Sequence, residues 1–161
     1  MESGNDELIV DLNELNQYYR SIYKRFFKLS KFNGAFSDGL SEEDPEKMEQ
    51  SRKILEKEAA FQIQGLSEVA PFKGEDDSYK KAVLEYAEFT QNMATKDYKK
   101  AVEIITKKKN GQSLTQEDVN AYNQIIQSFN TNFNKLNNEV NVKGSELLRN
   151  HVPKPRATTK T

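Results

Sequence analysis

At 161 residues, the chain suits one domain with a single core. Its formal charge of −1 lacks the basic excess that neutralises phosphate, so no nucleic-acid partner is expected. Without cysteine there are no disulfides, thiol chemistry, zinc–thiolate site or lipid-acceptor cysteine in the chain as given, and no apolar run approaches the roughly 18 to 20 residues that span a bilayer.

Apolar residues make up 35% and charged residues 30%, a balance that suits thin amphipathic helices with a broad wet face. Seven glycines and four prolines cluster between helical stretches, too few turn residues for a β-sandwich or barrel. Met1–Asp6 is polar and acidic, unlike a secretory signal, and reads as a flexible segment.

The first helix is predicted from Asn5 or Asp6 to Asn33. Leu8, Leu12, Leu15, Tyr19, Ile22, Phe26 and Leu29 step by fours and threes, a heptad-type seam. Tyr18, Tyr23 and Phe27 widen its apolar face. Left exposed together, these three form a partner surface; the alternative is burial under the segment that follows. Asn33-Gly34 reads as a stop, because both residues tolerate a left-handed cap. Gly34–Glu43 is then a loop, with Phe36 and Leu40 folded back over the end of the bundle.

Asp44-Pro45 reads as an N-cap with proline at the first helical position. The second helix extends to about Ala70 along Met48, Leu55, Ala59, Ile63 (or Gln62) and Leu66, its seam interrupted by Ser51, Arg52 and Glu58. Pro71-Phe72-Lys73-Gly74 breaks the chain, and Asp76 or Asp77 caps a third helix through Tyr79, Ala82, Val83, Tyr86, Phe89 and Met93. Its register then slips to Ala94, Tyr98, Ala101, Val102 and Ile105, the mark of a bend or a change of partner. Lys107–Lys109 suit the negative helix end, with contact to an acidic lipid or partner as the sharper option, and Asn110-Gly111 is a second stop.

The fourth helix starts at a cap, Ser113 or Thr115. Its seam is Val119, Tyr122, Ile126, Phe129, Phe133, Leu136 and Val140, then Lys143 or Gly144, then Leu147. Its outer face is rich in asparagine, a poor helix former, so packing must hold it. Pro153 ends it, and 153–161 reads as a disordered tail whose Lys154, Arg156 and Lys160 are basic. The whole is an all-α, antiparallel up-down-up-down four-helix bundle over 7–152, with short connections.

Reactive chemistry is sparse. Di-iron bundles need paired Glu-x-x-His motifs, yet the single histidine, His151, has Leu148 three residues before it. It reads as a lone surface residue at a helix end. Serine nucleophiles lack another base, and neither glycine-rich phosphate loop pattern occurs. Carboxylate pairs such as Glu85 with Glu88, or Glu139 with Glu146, read as solvated faces. Tyr19, Tyr86 and Tyr122 read as core with hydroxyls at the rim, the alternative being a ligand pocket inside the bundle. No catalytic, metal or cofactor-binding residue is assigned.

Pro71-Phe72-Lys73-Gly74-Glu75, the helix from Tyr79 to Phe89, Asp97-Tyr98-Lys99 and the helix opening at Thr115 carry a resemblance. The segment from Leu8 to Val140 resembles uncharacterised bacterial surface lipoproteins of the leptospiral type, found also among Bacteroidetes, in which a Pro-Phe-x-Gly turn joins the second and third helices. The resemblance implies an exported protein, tethered through a lipidated cysteine behind a signal peptide, with Met1–Asp6 as spacer. The expectation is a non-enzymatic binding or structural module of the cell envelope, with an unknown protein partner and a membrane link only through such an anchor. The alternative is a soluble intracellular adaptor or chaperone-like protein, and an enzyme or ligand carrier ranks last.

Overall fold

The computed structural model describes residues 3–153. The helices are α1 (Ser3–Ser41), α2 (Pro45–Ser67), α3 (Ser78–Asn92), α4 (Tyr98–Lys109) and α5 (Gln116–His151). A π-helical turn, Met93–Asp97, joins α3 to α4 without a break, so the two form one rod and the fold has four helices. The described residues contain no strand beyond an isolated bridge between Phe72 and Asp76.

Several boundaries depart from expectation. Helix α1 already includes Ser3–Asp6, within the segment read as flexible; Met1, Glu2 and 154–161, including Lys154, Arg156 and Lys160, lie outside the described residues. Helix α1 also runs eight residues past Asn33, to Ser41, rather than stopping at Asn33-Gly34. The cause is tertiary. The Asn33 side chain is buried and donates to the Tyr86 hydroxyl (3.0 Å) and to Thr90 Oγ1 (3.2 Å), while its Oδ1 accepts from the Tyr98 hydroxyl (2.9 Å). These bonds outweigh the capping tendency of an Asn-Gly pair. Gly34–Ser41 is therefore helix, not a fold-back loop, and Phe36 is fully buried with its ring stacked on Tyr98 at 3.8 Å. The reversal falls at Glu43, in a left-handed conformation (φ 52°), and Asp44 caps α2 by accepting from the Glu46 and Lys47 amides.

On α2 the expected interruptions prove partly internal. Ser51 and Arg52 are buried, and Gln62 rather than Ile63 takes the buried position. Arg52 meets Glu49 at 2.6 and 2.8 Å and Glu56 at 3.0 Å, and donates to the Ala94 carbonyl at 3.2 Å. Ala94 belongs to the π turn. One extra residue in that turn is the register slip legible in the sequence, and Arg52 satisfies a carbonyl there. The α2–α3 connection turns at Lys73 and Gly74, both with positive φ. Asp76, not Asp77, accepts from the Ser78 amide and hydroxyl. Helix α5 opens with a reciprocal capping box between Thr115 and Asp118.

Contacts fix which helices meet. Arg25 bonds Gln62, Lys28 pairs with Glu58, and Gly39 lies against Met48, so numbers rise on α1 as they fall on α2. Val69 meets Lys80, and Arg52 meets Ala94. Gly144 lies against Tyr79, Phe133 against Tyr86, and Asp118 against Lys107. Between α1 and the α3–α4 rod, Tyr19–Tyr79, Phe26–Tyr86 and Phe36–Tyr98 rise together. The centre is aromatic: Phe133 takes Tyr86, Phe89 and Phe129 at ring distances of 5.6, 5.0 and 4.8 Å, the first two edge-on. The α5 seam holds from Phe133 through Val140, Gly144 and Leu147. Nearer its start it rolls outward, burying Ile125 and leaving Val119 exposed and Tyr122, Ile126 and Phe129 half-buried.

Candidate functional site

The predicted partner residues do not form one patch. At about 100° of helix rotation per residue, Tyr18 lies about 180° from Phe27. Tyr18 turns toward the α2–α3 connection, where its ring meets Phe72 at 5.2 Å and its hydroxyl is buried without a hydrogen-bond partner. Tyr23 and Phe27 stay on the surface, 40% and 54% exposed, with rings stacked 6.0 Å apart. The segment after Asn33 does not cover them, because it continues the helix away from them.

Two further residues extend this surface. Ile9 is 55% exposed, and Leu12, expected in the core seam, is 39% exposed. With the exposed Asn16 between them, Ile9, Leu12, Tyr23 and Phe27 fall within an arc of about 60° on α1. The Tyr23 end of the stripe is backed by an aromatic stack. Tyr23 stacks on Tyr19 at 5.9 Å, and Tyr19 on buried Tyr79 at 5.2 Å, both pairs within 11° of parallel. Aromatic rings held this way offer contact area with little side-chain entropy left to lose.

The polar groups around Asn33 are consumed by one another. The hydroxyls of Tyr86 and Tyr98 both meet Asn33, so the Tyr86 hydroxyl does not reach the rim as expected. Burial raises the Tyr86 phenol to about 12 and pushes those of Tyr79 and Tyr98 well up. His151 is not a lone surface residue. Its Nε2 lies 2.8 Å from Asp76 Oδ2, its ring packs edge-on against Phe72 at 4.9 Å, and it ties the last turn of α5 to the α2–α3 connection. The Asp76 carboxyl is held below the usual range by the Ser78 hydroxyl and then by His151, against the effect of burial. Ser78 donates to Asp76 rather than to the imidazole, so these three groups lack the serine–histidine contact that activates a nucleophile.

The lysine run is also engaged internally. Lys107 meets Asp118 at 3.2 Å, and Lys108 pairs with Glu43 at the α1–α2 turn. Among the described residues, no group of three metal-ligating side chains converges. Clefts lie on the outside. One of 560 Å³ separates the start of α2 from the end of α4, lined by Pro45, Glu49, Lys53 and Lys109; another of 530 Å³ runs beside Tyr18 and Phe72. No described helix is long and apolar enough to cross a membrane.

Sequence alone pointed to Tyr23 and Phe27, but not to Ile9, which sits in an unbroken apolar run from Leu8 to Val10. The signal available was a second set of spacings, Ile9–Leu12–Asn16–Tyr23–Phe27, beside the core seam. Compared with family models, curated proteins and solved structures, the chain matches none.

Proposed function

We propose that the chain is a non-enzymatic helical binding or structural module of the bacterial cell envelope, with up-down-up-down topology, whose working surface is the Ile9–Phe27 stripe of α1. One observation carries the binding part: Ile9, Leu12, Tyr23 and Phe27 stand in solvent along one arc of α1, with Tyr23 stacked through Tyr19 on buried Tyr79. A monomer seldom leaves such a surface open without use. The closed Asn33 network supports the non-enzymatic part, since its polar groups are bonded to each other. The opposed numbering of facing residues supports the topology. The envelope assignment leans on the resemblance around Pro71–Gly74.

Fractionation of cells that make the native gene product tests the location, and capture from the envelope fraction tests the surface. Wild-type protein is expected to retain a partner that a Phe27→Asp variant loses at unchanged melting temperature. Equal capture by both would remove the stripe from the reading. Recovery in the cytosol alone would favour an intracellular adaptor.

A further inference from the structure

The α1 stripe has the pattern of a second helix-pairing seam, beside the one that builds the core. We propose that it pairs with the same stripe of a second copy of this chain, antiparallel, to form a weak two-fold dimer; the inference rests on the reading of α1 as a binding face. Ile9, Leu12, Asn16, half-buried Tyr19, Tyr23 and Phe27 advance by three, four, three, four and four residues. That is the spacing of a coiled-coil seam, with asparagine at a position that sets register and orientation at some cost in stability.

The edge of α1 is open to a partner. Helix α2 packs on its far side through Arg25 and Lys28, while α3 and α5 approach from the core side at Tyr19. The stripe spans about 27 Å of helix.

One charge pair favours the antiparallel orientation. On the open flank, exposed Asp6 lies near the N-terminal end, and exposed Arg20, Lys24 and Lys31 lie toward the other. An antiparallel pair faces this flank with the same flank of the second copy, bringing Arg20 near its own symmetry mate at the centre, whereas a parallel pair turns it toward the opposite flank. Antiparallel pairing places Asp6 beside Lys31 of the partner copy, Ile9 beside Phe27, and Leu12 beside Tyr23. An isologous contact of this kind closes at two copies and leaves no open end.

Area sets the strength. Half-exposed Tyr23 and Phe27 each bring about 100 Å². With Ile9, Leu12 and the flanking polar groups, two copies together bury about 1,200 Å², the lower edge of stable interfaces. The dimer is therefore concentration-dependent, in the micromolar range or weaker.

Because the chain has no cysteine, engineered thiols report the contact cleanly. Full-length Ile9→Cys and Phe27→Cys proteins, mixed and oxidised, are expected to give a disulfide-linked dimer that neither gives alone. In sedimentation equilibrium the wild type should shift from monomer to dimer as concentration rises. Phe27→Glu, at an exposed site, should stay monomeric with its circular dichroism and melting unchanged. Asn16→Leu should tighten the dimer at least several-fold. Each cysteine variant cross-linking to itself, with no gain on mixing, would overturn the antiparallel arrangement. A wild type that stays monomeric at about 500 μM, or a Phe27→Glu protein that dimerises equally, would overturn self-pairing; capture from the envelope fraction tests the broader binding reading separately.

Discussion

Asn33→Ala tests the polar core most sharply. The substitution removes an amide that serves three hydroxyls, those of Tyr86, Thr90 and Tyr98. Their losses differ. The Tyr86 hydroxyl keeps a neighbour in Ser30, and threonine within a helix can turn to its own backbone. Tyr98 is 0% exposed, and Asn33 is the acceptor for its hydroxyl, so its donor is left unmet. An unmet buried donor costs about 1–3 kcal/mol, and each further bond lost costs about 1 kcal/mol. The total is about 3–5 kcal/mol, a large part of an ordinary domain's stability. For a chain of this size that corresponds to a fall of about 10–15 °C in Tm. Urea unfolding followed by circular dichroism measures it. A cycle with Tyr98→Phe sharpens the test: in the Asn33→Ala background, removing the stranded hydroxyl should recover about 1–2 kcal/mol. A loss below about 1 kcal/mol for Asn33→Ala, or additive behaviour in the cycle, would refute the network as the reason α1 passes through Asn33-Gly34.

Gly34→Ala should stabilise the protein by about 0.5–1 kcal/mol, because Gly34 sits inside α1 with nothing within 4 Å of an added Cβ; destabilisation in the same urea assay would contradict the helix there. Phe133→Asp should unfold the domain, since it places an unpaired charge among Tyr86, Phe89 and Phe129; a cooperative melt near the wild-type temperature would show α5 to be misplaced. Asp76 has a folded-state pKa below its unfolded value, so its contribution is full above the unfolded value of about 3.9 and is lost as pH falls through the lower folded value. Asp76→Asn should therefore reduce the loss of stability on acidification below about pH 4; parallel pH profiles for both proteins would contradict this.

Periodicity carried most of the architecture. The Phe133–Val140 seam, the Asp44-Pro45 start and the slip after Met93 all express local rules, and each has its counterpart in a buried face, a cap and a π turn. The end of α1 was not legible, because its asparagine answers to Tyr86, Thr90 and Tyr98, which lie 53 to 65 positions away. The Asp76–His151 contact spans 75 positions, so no local spacing announces it. Arg52 looked like an interruption because its partners include the carbonyl of Ala94, which periodicity does not record. Tyr18 and Tyr23 are neighbours in sequence, yet helical rotation sends them to different sides of α1. Leu12 fits the core seam four residues after Leu8, but core contact weakens toward the start of α1 and leaves it at the edge.

The central claim is that the protein's binding chemistry stands on the outer edge of α1 while its interior groups hold the fold together. Photo-cross-linking inside cells tests it most directly, with a photoreactive phenylalanine analogue placed at Phe27 and, in a separate protein, at Phe61, an equally greasy residue 66% exposed on α2. Discrete protein adducts from position 27 and none from position 61 are expected. Equal labelling at both positions, or adducts from position 61 alone, would contradict the account.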